Sequence, residues 1–216
     1  MKAVAAAVLR VSGARPEEAA VAGAAEALAA GGLVILPTDT LYALGARALD
    51  PAAVARLRRA KGRDDSKPLP VVAADLGQAR ALCAAWPPAA DALSARFWPG
   101  PLTLVLPAAP SVPVEVTAGT GQVAVRVPAL ELTRALCRLV GPLVSTSANR
   151  AGEPPPVTCD EAVTALGAAV ALALDGGPGG AVVSTIVDLT REPVRLLRAG
   201  AVPWSDVEGV LPPRGR

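Results

Sequence analysis

Apolar residues fall along the chain in short blocks separated by Gly, Pro and polar turns, and the blocks alternate in kind. Residues 16–30 read as a helix: Pro16 suits a first helical turn, Glu17 and Glu18 favour its positive end, and Gly31-Gly32 ends it. Leu33-Val34-Ile35-Leu36 is a short buried strand stopped by Pro37. Asp50-Pro51 opens a second helix through about Ala60. Leu69 to Ala74 reads as a strand, and Asp75 is placed to cap the helix after it. Residues 88–97 are a further helix, and Leu102 to Leu106 is a strand after the Pro-Gly-Pro turn at 99–101. The second half repeats this style. Gln122 to Val127 is a strand, 131–139 a helix and Leu143 to Ser145 a strand; Asp160 is placed to cap a helix reaching about Leu166. Val170 to Leu174, Val182 to Leu189 and Val194 to Leu197 are three more strands. Strands alternating with helices predict an α/β fold, a mixed sheet covered by helices. No internal repeat is visible, and Glu153-Pro154-Pro155-Pro156 is a stiff loop.

A length of 216 residues suits one domain, expected over 1–216 with its core at about 14–202 and a disordered tail at 212–216. Hydrophobic residues are 52% and charged residues 19%, which excludes a disordered chain. Aromatics are only 2%, so Ala, Val and Leu must fill the core. The chain has no His, which excludes a Ser-His-Asp triad, a His-ligated metal and a His general base. Cys83, Cys137 and Cys159 form no CxxC pair and read as buried thiols in a reducing cytosol. The formal net charge of +2 argues against strong nonspecific binding to nucleic acid. Arg10 interrupts the apolar start and Glu17 and Glu18 follow, so the N-terminus reads as mature protein. No uncharged apolar stretch has the roughly 18 residues of a membrane span, and a cytoplasmic location is expected.

Four polar clusters interrupt the apolar pattern at strand ends, where ligands gather in α/β folds. Pro37-Thr38-Asp39-Thr40-Leu41-Tyr42 is either a turn with capping side chains or a hydrogen-bonding site for a small polar ligand. Lys61, Arg63 and Lys67 could hold a triphosphate, or could simply favour the negative end of a helix. Ser145-Thr146-Ser147-Ala148-Asn149 is either a Ser/Thr-rich turn or a place where phosphate approaches the backbone. The fourth cluster is scattered: Arg126, Ser184-Thr185 and Arg198. Arg126 interrupts an apolar strand, so it faces either solvent or a cavity where it needs an anionic partner such as a substrate carboxylate. Neither GxxxxGK[ST] nor a GxGxxG after a strand occurs.

Together the segments GGLVILPTDTLYALGA (31–46), KGRDDSKPLPV (61–71), FWPGPLTLVL (97–106), VAVRVP (123–128), STSAN (145–149) and STIVDLT (184–190) resemble the YrdC/TsaC family of threonylcarbamoyl-AMP synthases. The resemblance implies a YrdC-like twisted mixed sheet with flanking helices around a concave basic cavity. It implies condensation of L-threonine, bicarbonate and ATP to threonylcarbamoyl-AMP and pyrophosphate. A transferase complex then carries the group to tRNA adenosine, making t6A. By position, Thr40, Arg126, Ser145 and Ser184 match residues that hold L-threonine. Lys61, Arg63, Lys67, Gln122, Ser147, Asn149, Pro155 and Arg198 match the ATP side. Mg²⁺ is expected with the ATP and not on protein side chains. No acid or base is implied, because the work is positioning and charge neutralisation; Asp39 is set aside as a base because a carboxylate near phosphates would repel them.

The chain departs from the usual pattern at Val72, where many members have His, and at Ala43, Asp64 and Pro155, where Gly, Pro and Ser are common. The Pro-rich segment after Asn149 is the expected lid. The alternatives are a domain of this fold that holds double-stranded RNA or tRNA on its concave surface, and a paralogue that uses carbamoyl phosphate.

Overall fold

The short strands pair side by side into a single mixed sheet. A computed structural model describes residues 6–12, 16–62, 67–180 and 182–211. Its strands are β1 (Ala7–Arg10), β2 (Val34–Leu36), β3 (Ala43–Arg47), β4 (Pro70–Val72), β5 (Leu102–Pro107), β6 (Gln122–Arg126), β7 (Leu143–Ser147), β8 (Leu172–Asp175), β9 (Thr185–Asp188) and β10 (Arg195–Arg198). They lie in the order β1-β8-β2-β3-β7-β4-β6-β5-β9-β10. The pairs β1/β8, β2/β8, β4/β6 and β5/β9 are parallel, and the others are antiparallel. The helices are α1 (Glu18–Ala29), α2 (Pro51–Lys61), α3 (Leu76–Ala81), α4 (Pro88–Phe97), α5 (Val114–Thr117), α6 (Glu131–Val140), α7 (Cys159–Leu166) and α8 (Trp204–Glu208).

Local chemistry explains several helix ends. The Asp50 side chain accepts from the Ala53 amide, Pro51 fills the first turn, and Gly62 closes α2 in the left-handed region at φ 60°. Asp75 caps α3 by accepting from Gln78 N at 2.8 Å. Three expectations are corrected. Helix α1 starts at Glu18, beyond Pro16. Helix α7 is capped by Thr158 and not Asp160: the Thr158 hydroxyl accepts from Glu161 N while the Glu161 carboxylate accepts from Thr158 N, a reciprocal pair that Asp160, inside the helix, cannot form. Strand β7 runs on through Ser147, so the Ser-Thr-Ser sequence is sheet and not turn. Strands β1 and β3 and helices α5 and α8 carry no clear sequence signal. β3, Ala-Leu-Gly-Ala-Arg, is poor in β-branched residues and exists because β2 and β7 pair with its two edges. The tail at 212–216 lies outside the described residues.

The period-2 alternation of the strands gives the sheet two unlike faces. On one face Leu44, Val71, Leu104, Val125, Val144 and Val187 are buried together with Val54 and Leu57 of α2, Leu93 of α4 and Leu166 of α7. On the other, Val34, Val72, Leu143 and Leu172 pack beneath Ala24 and Leu28 of α1 and Leu132 and Leu136 of α6. Those two helices cover only part of their face. The remainder is the floor of a cavity.

Candidate functional site

The sheet register builds the site. Val72 pairs with Arg126 across β4/β6, Leu104 with Val125 across β5/β6, Thr103 with Ile186 across β5/β9, and Ile186 with Arg198 across β9/β10. Arg126, Thr103, Ile186 and Arg198 therefore form a row across neighbouring strands. Ser145 and Ser147 of β7 point to the same face, and the loops after β2 and β7 close the sides. The result is a cavity of about 410 Å³ lined by Thr38, Thr40, Val72, Thr103, Arg126, Ser145, Ser147, Asn149, Pro155, Ser184 and Arg198 among others. That volume suits a small ligand.

Arg126 points into this cavity and not to solvent. It is buried, donates from Nε to Gly100 O at 2.8 Å, and reaches Thr40 Oγ1 from Nη1 at 3.4 Å. Its anionic partner within the protein is Asp39, which forms an ion pair with Arg126 Nη2. The other Asp39 oxygen accepts from Ala129 N at 3.2 Å. Asp39 thus stands beside Arg126 with its charge compensated. Burial lowers the Arg126 pKa and the Asp39 charge opposes that shift.

Hydroxyls fix the neighbouring groups. Thr38 Oγ1 accepts from the amides of Thr40 and Leu41, both at 3.1 Å, and donates to Leu41 O at 2.6 Å. This local turn sets the chain direction through Asp39 and Thr40. The buried Ser184 hydroxyl lies 3.0 Å from Thr103 Oγ1 and accepts from Arg198 Nη2 at 2.9 Å. Arg198 Nε also donates to Ser184 O at 3.0 Å. The Arg198 pKa is lowered by partial desolvation and by the charge of Arg126, which places two cations on one wall of the cavity.

At the end of β7, Lys61 is buried under the loop that the resemblance assigns to phosphate. Its ammonium donates to the carbonyls of Ser147 and Asn149, the latter at 2.8 Å, and to Asn149 Oδ1 at 3.3 Å. Asn149 Nδ2 donates to Glu153 O, and Ala151 N donates to Lys61 O at 2.9 Å. The Pro-rich segment expected to act as a lid is tied down further by Tyr42 N donating to Pro156 O and Gly179 N donating to Val157 O.

The cavity thus collects Thr40, Arg126, Ser145, Ser184, Ser147, Asn149, Pro155 and Arg198. Lys61 touches its rim through Ser147 and Asn149 without lining it. Two matched positions stand elsewhere. Lys67 is exposed and its carbonyl accepts from Arg58 Nη2 at 3.0 Å, while Gln122 Nε2 donates to Thr190 Oγ1 at 3.3 Å. Arg63 and Asp64 lie outside the described residues. Thr103 was not singled out from sequence, since one Thr in the apolar run Leu-Thr-Leu-Val-Leu carries no signal. Only its register beside Arg126 reveals it. Among the described residues, no group of three His, Cys, Asp or Glu side chains is gathered as a metal site. No helix among them is long and apolar enough to cross a membrane.

Fold and site define a mixed α/β protein with a concave site whose arginines and hydroxyls suit a small anionic or zwitterionic ligand. The profile of the family described as Telomere recombination, Sua5/YciO/YrdC, matches residues 26–200. The chain belongs to this family. It is 41% identical over 199 residues to the threonylcarbamoyl-AMP synthase of Pyrococcus abyssi, covering 91% of this chain and 58% of that relative, so it spans little more than half the relative's length. It is 41% identical over 192 residues to the putative threonylcarbamoyl-AMP synthase of Mycobacterium tuberculosis, covering 88% of each. Among solved structures, Pyrococcus abyssi Sua5 complexed with L-threonine superposes with a TM-score of 0.90 at 41% identity, over 94% of this chain and 60% of that one. Escherichia coli YciO superposes with a TM-score of 0.84 at 25% identity, over 92% and 97%.

Proposed function

We propose that the protein is an enzyme that condenses L-threonine, bicarbonate and ATP to L-threonylcarbamoyl-AMP and pyrophosphate, supplying the group for t6A modification of tRNA. The observation that carries this reading is the cavity, which gathers Thr40, Arg126, Ser145 and Ser184, matched to L-threonine, with Ser147, Asn149 and Arg198, matched to the ATP side. The kinship with proteins named threonylcarbamoyl-AMP synthase supports it.

In this reaction the threonine nitrogen bonds to the bicarbonate carbon, water leaves, and a carbamate forms. A carbamate oxygen then attacks the α-phosphorus of ATP, and the bond to pyrophosphate breaks. The pyrophosphate leaves as a stable anion; Mg²⁺ bound with the ATP would offset its charge. The protein's task is therefore to align two anions and offset their repulsion. Arg126 receives the threonine carboxylate, and the Thr40 hydroxyl stands within reach of the same guanidinium. Arg198, fixed by Ser184, lies beside Arg126, where carbamate and α-phosphate would meet. Lys61 draws the carbonyls of Ser147 and Asn149 inward, which fixes the loop on the nucleotide side. Arg198 is the donor aimed at charge that develops in the reaction, and such a donor contributes about 3 kcal/mol in the transition state.

The test is pyrophosphate release with ATP, Mg²⁺, bicarbonate and L-threonine, each omitted in turn, with the nucleotide product identified by mass spectrometry. Release that depends on both threonine and bicarbonate, with a product of threonylcarbamoyl-AMP mass, is expected. A folded protein that releases no pyrophosphate and binds no ATP would overturn the reading and favour the RNA-binding alternative.

A further inference from the structure

Three polar side chains meet on one wall of the cavity, and their hydrogen bonds do not close among themselves. Ser184 Oγ accepts from Arg198 Nη2 at 2.9 Å and lies 3.0 Å from Thr103 Oγ1. Thr103 and Ser184 are only 2% and 6% exposed, and both line the cavity. Neither side-chain hydroxyl has a further partner among the described residues. Arginine can only donate, so the contact between the two hydroxyls uses one of their two hydrogens and leaves the other over. A buried donor without a partner is costly, and this one is open to an acceptor that enters the cavity. The Arg198 cation polarises Ser184 Oγ, which strengthens the Ser184 O–H as a donor. When an anionic oxygen takes the Ser184 hydrogen, Thr103 donates to Ser184 in turn, and every donor of the group is satisfied.

We infer that Thr103 is a positioning residue for the reaction: by donating to Ser184 Oγ it commits the Ser184 hydrogen to one oxygen of the carbamate. The inference rests on the reading of this cavity as the site of the condensation. Ser184 belongs to the residues matched to L-threonine and Arg198 to those matched to the ATP side, so their hydrogen bond spans the place where carbamate and α-phosphate meet. The carbamate has two equivalent oxygens, and a donor that holds one leaves the other to attack phosphorus. Threonine has no such group on its nitrogen before the carbamate forms. The contact therefore acts on turnover and not on threonine affinity. Thr103 reaches this place by register alone: it pairs with Ile186 across β5/β9, and Ile186 pairs with Arg198 across β9/β10.

Pyrophosphate release by the full chain, with L-threonine and ATP varied at saturating bicarbonate and Mg²⁺, tests this. Thr103→Val keeps the shape and removes the hydroxyl. It is expected to lower kcat about tenfold, in the range of one hydrogen bond to a charged group, and to leave both KM values within about threefold. Thr103→Ser restores the hydroxyl and is expected to bring kcat back to within about threefold of the unaltered protein. In a Ser184→Ala background, Thr103→Val is expected to change kcat less than about twofold, because the group it acts through is gone. A folded Thr103→Val protein that keeps its kcat, loses only threonine KM, or loses kcat equally in both backgrounds overturns the inference and leaves the proposed reaction standing. Should Thr103→Val fail to fold, Thr103→Ser decides: a loss of kcat of about tenfold there means that the methyl group and not the hydroxyl matters, and overturns the inference. An unaltered protein that releases no pyrophosphate overturns the proposed reaction and this inference with it.

Discussion

Arg126→Met tests the central feature of the site, because it removes the cation while keeping most of the side-chain volume. Asp39, only 15% exposed, is left without its counter-charge, and Gly100 O loses its 2.8 Å donor. Removing one partner of a buried ion pair costs about 3–5 kcal/mol. Asp39 keeps some solvent and its bond from Ala129 N, so the low end applies, about 3 kcal/mol. Adding Asp39→Asn removes the stranded charge. The double variant should lie within about 1.5 kcal/mol of the unaltered protein, the residual loss being the Gly100 hydrogen bond. Urea titration reads both: at an m-value of about 2 kcal/mol per molar, the single variant shifts the midpoint down by roughly 1.5 M, and the double variant recovers half or more of that. Threonine binding should be lost in both, since recovered stability does not restore the cation. A single variant within about 1 kcal/mol of the unaltered protein, or a double variant no more stable than the single, would refute the claim that Arg126 and Asp39 form a coupled buried pair.

Three further outcomes follow from particular contacts. A Cβ at Gly200 would lie 2.4 Å from Val183 O and 2.5 Å from Ser184 C, so Gly200→Ala must displace the Ser184–Arg198 segment; a stability loss of about 1–3 kcal/mol in thermal unfolding and weaker ligand binding are expected. Tyr42, the only tyrosine, donates to Gly177 O at 2.6 Å and accepts from Gly176 N at 3.1 Å, and burial pushes its phenol far above the ordinary 10.0. The folded protein should therefore show no tyrosinate absorbance near pH 10. Its neutral phenol is favoured in the fold, so stability should fall as pH rises above 10.0, where the unfolded phenol ionises; Tyr42→Phe removes that fall and costs about 1–3 kcal/mol at neutral pH. Burial raises the thiols of Cys83 and Cys137 to about 12 and of Cys159 to about 11, so a thiolate-specific reagent at neutral pH should react slowly with native protein and find all three thiols in denaturant.

Much of the fold was legible because its signals are local. Asp50-Pro51 and Asp75 begin helices through their own side chains, the run at 88–97 matches α4, and the apolar blocks mark most strands. Boundaries failed where two local chemistries competed, as at Thr158 and Asp160. β3 was missed because Ala-Leu-Gly-Ala-Arg has no intrinsic preference for a strand; its two neighbours impose one. The site was legible as four separated clusters, and the cavity joins members of three of them. From the Lys61–Lys67 cluster, Lys61 bears on it only through the carbonyls it holds.

The residue types alone determined what chemistry was open to this protein. The absence of His removed Ser-His-Asp triads, imidazole bases and His-bound metals, and an Arg within an apolar strand had to face either solvent or an anionic partner. The sequence could not say which anion. Asp39 and Arg126 are far apart along the chain, and whether they meet depends on sheet order and on α1 and α6 leaving part of one face open. Pairing register set Thr103 beside Arg126, and β9 and β10 carried Ser184 and Arg198 to the same wall. Those are contacts between distant segments, fixed by tertiary packing, and no local pattern encodes them.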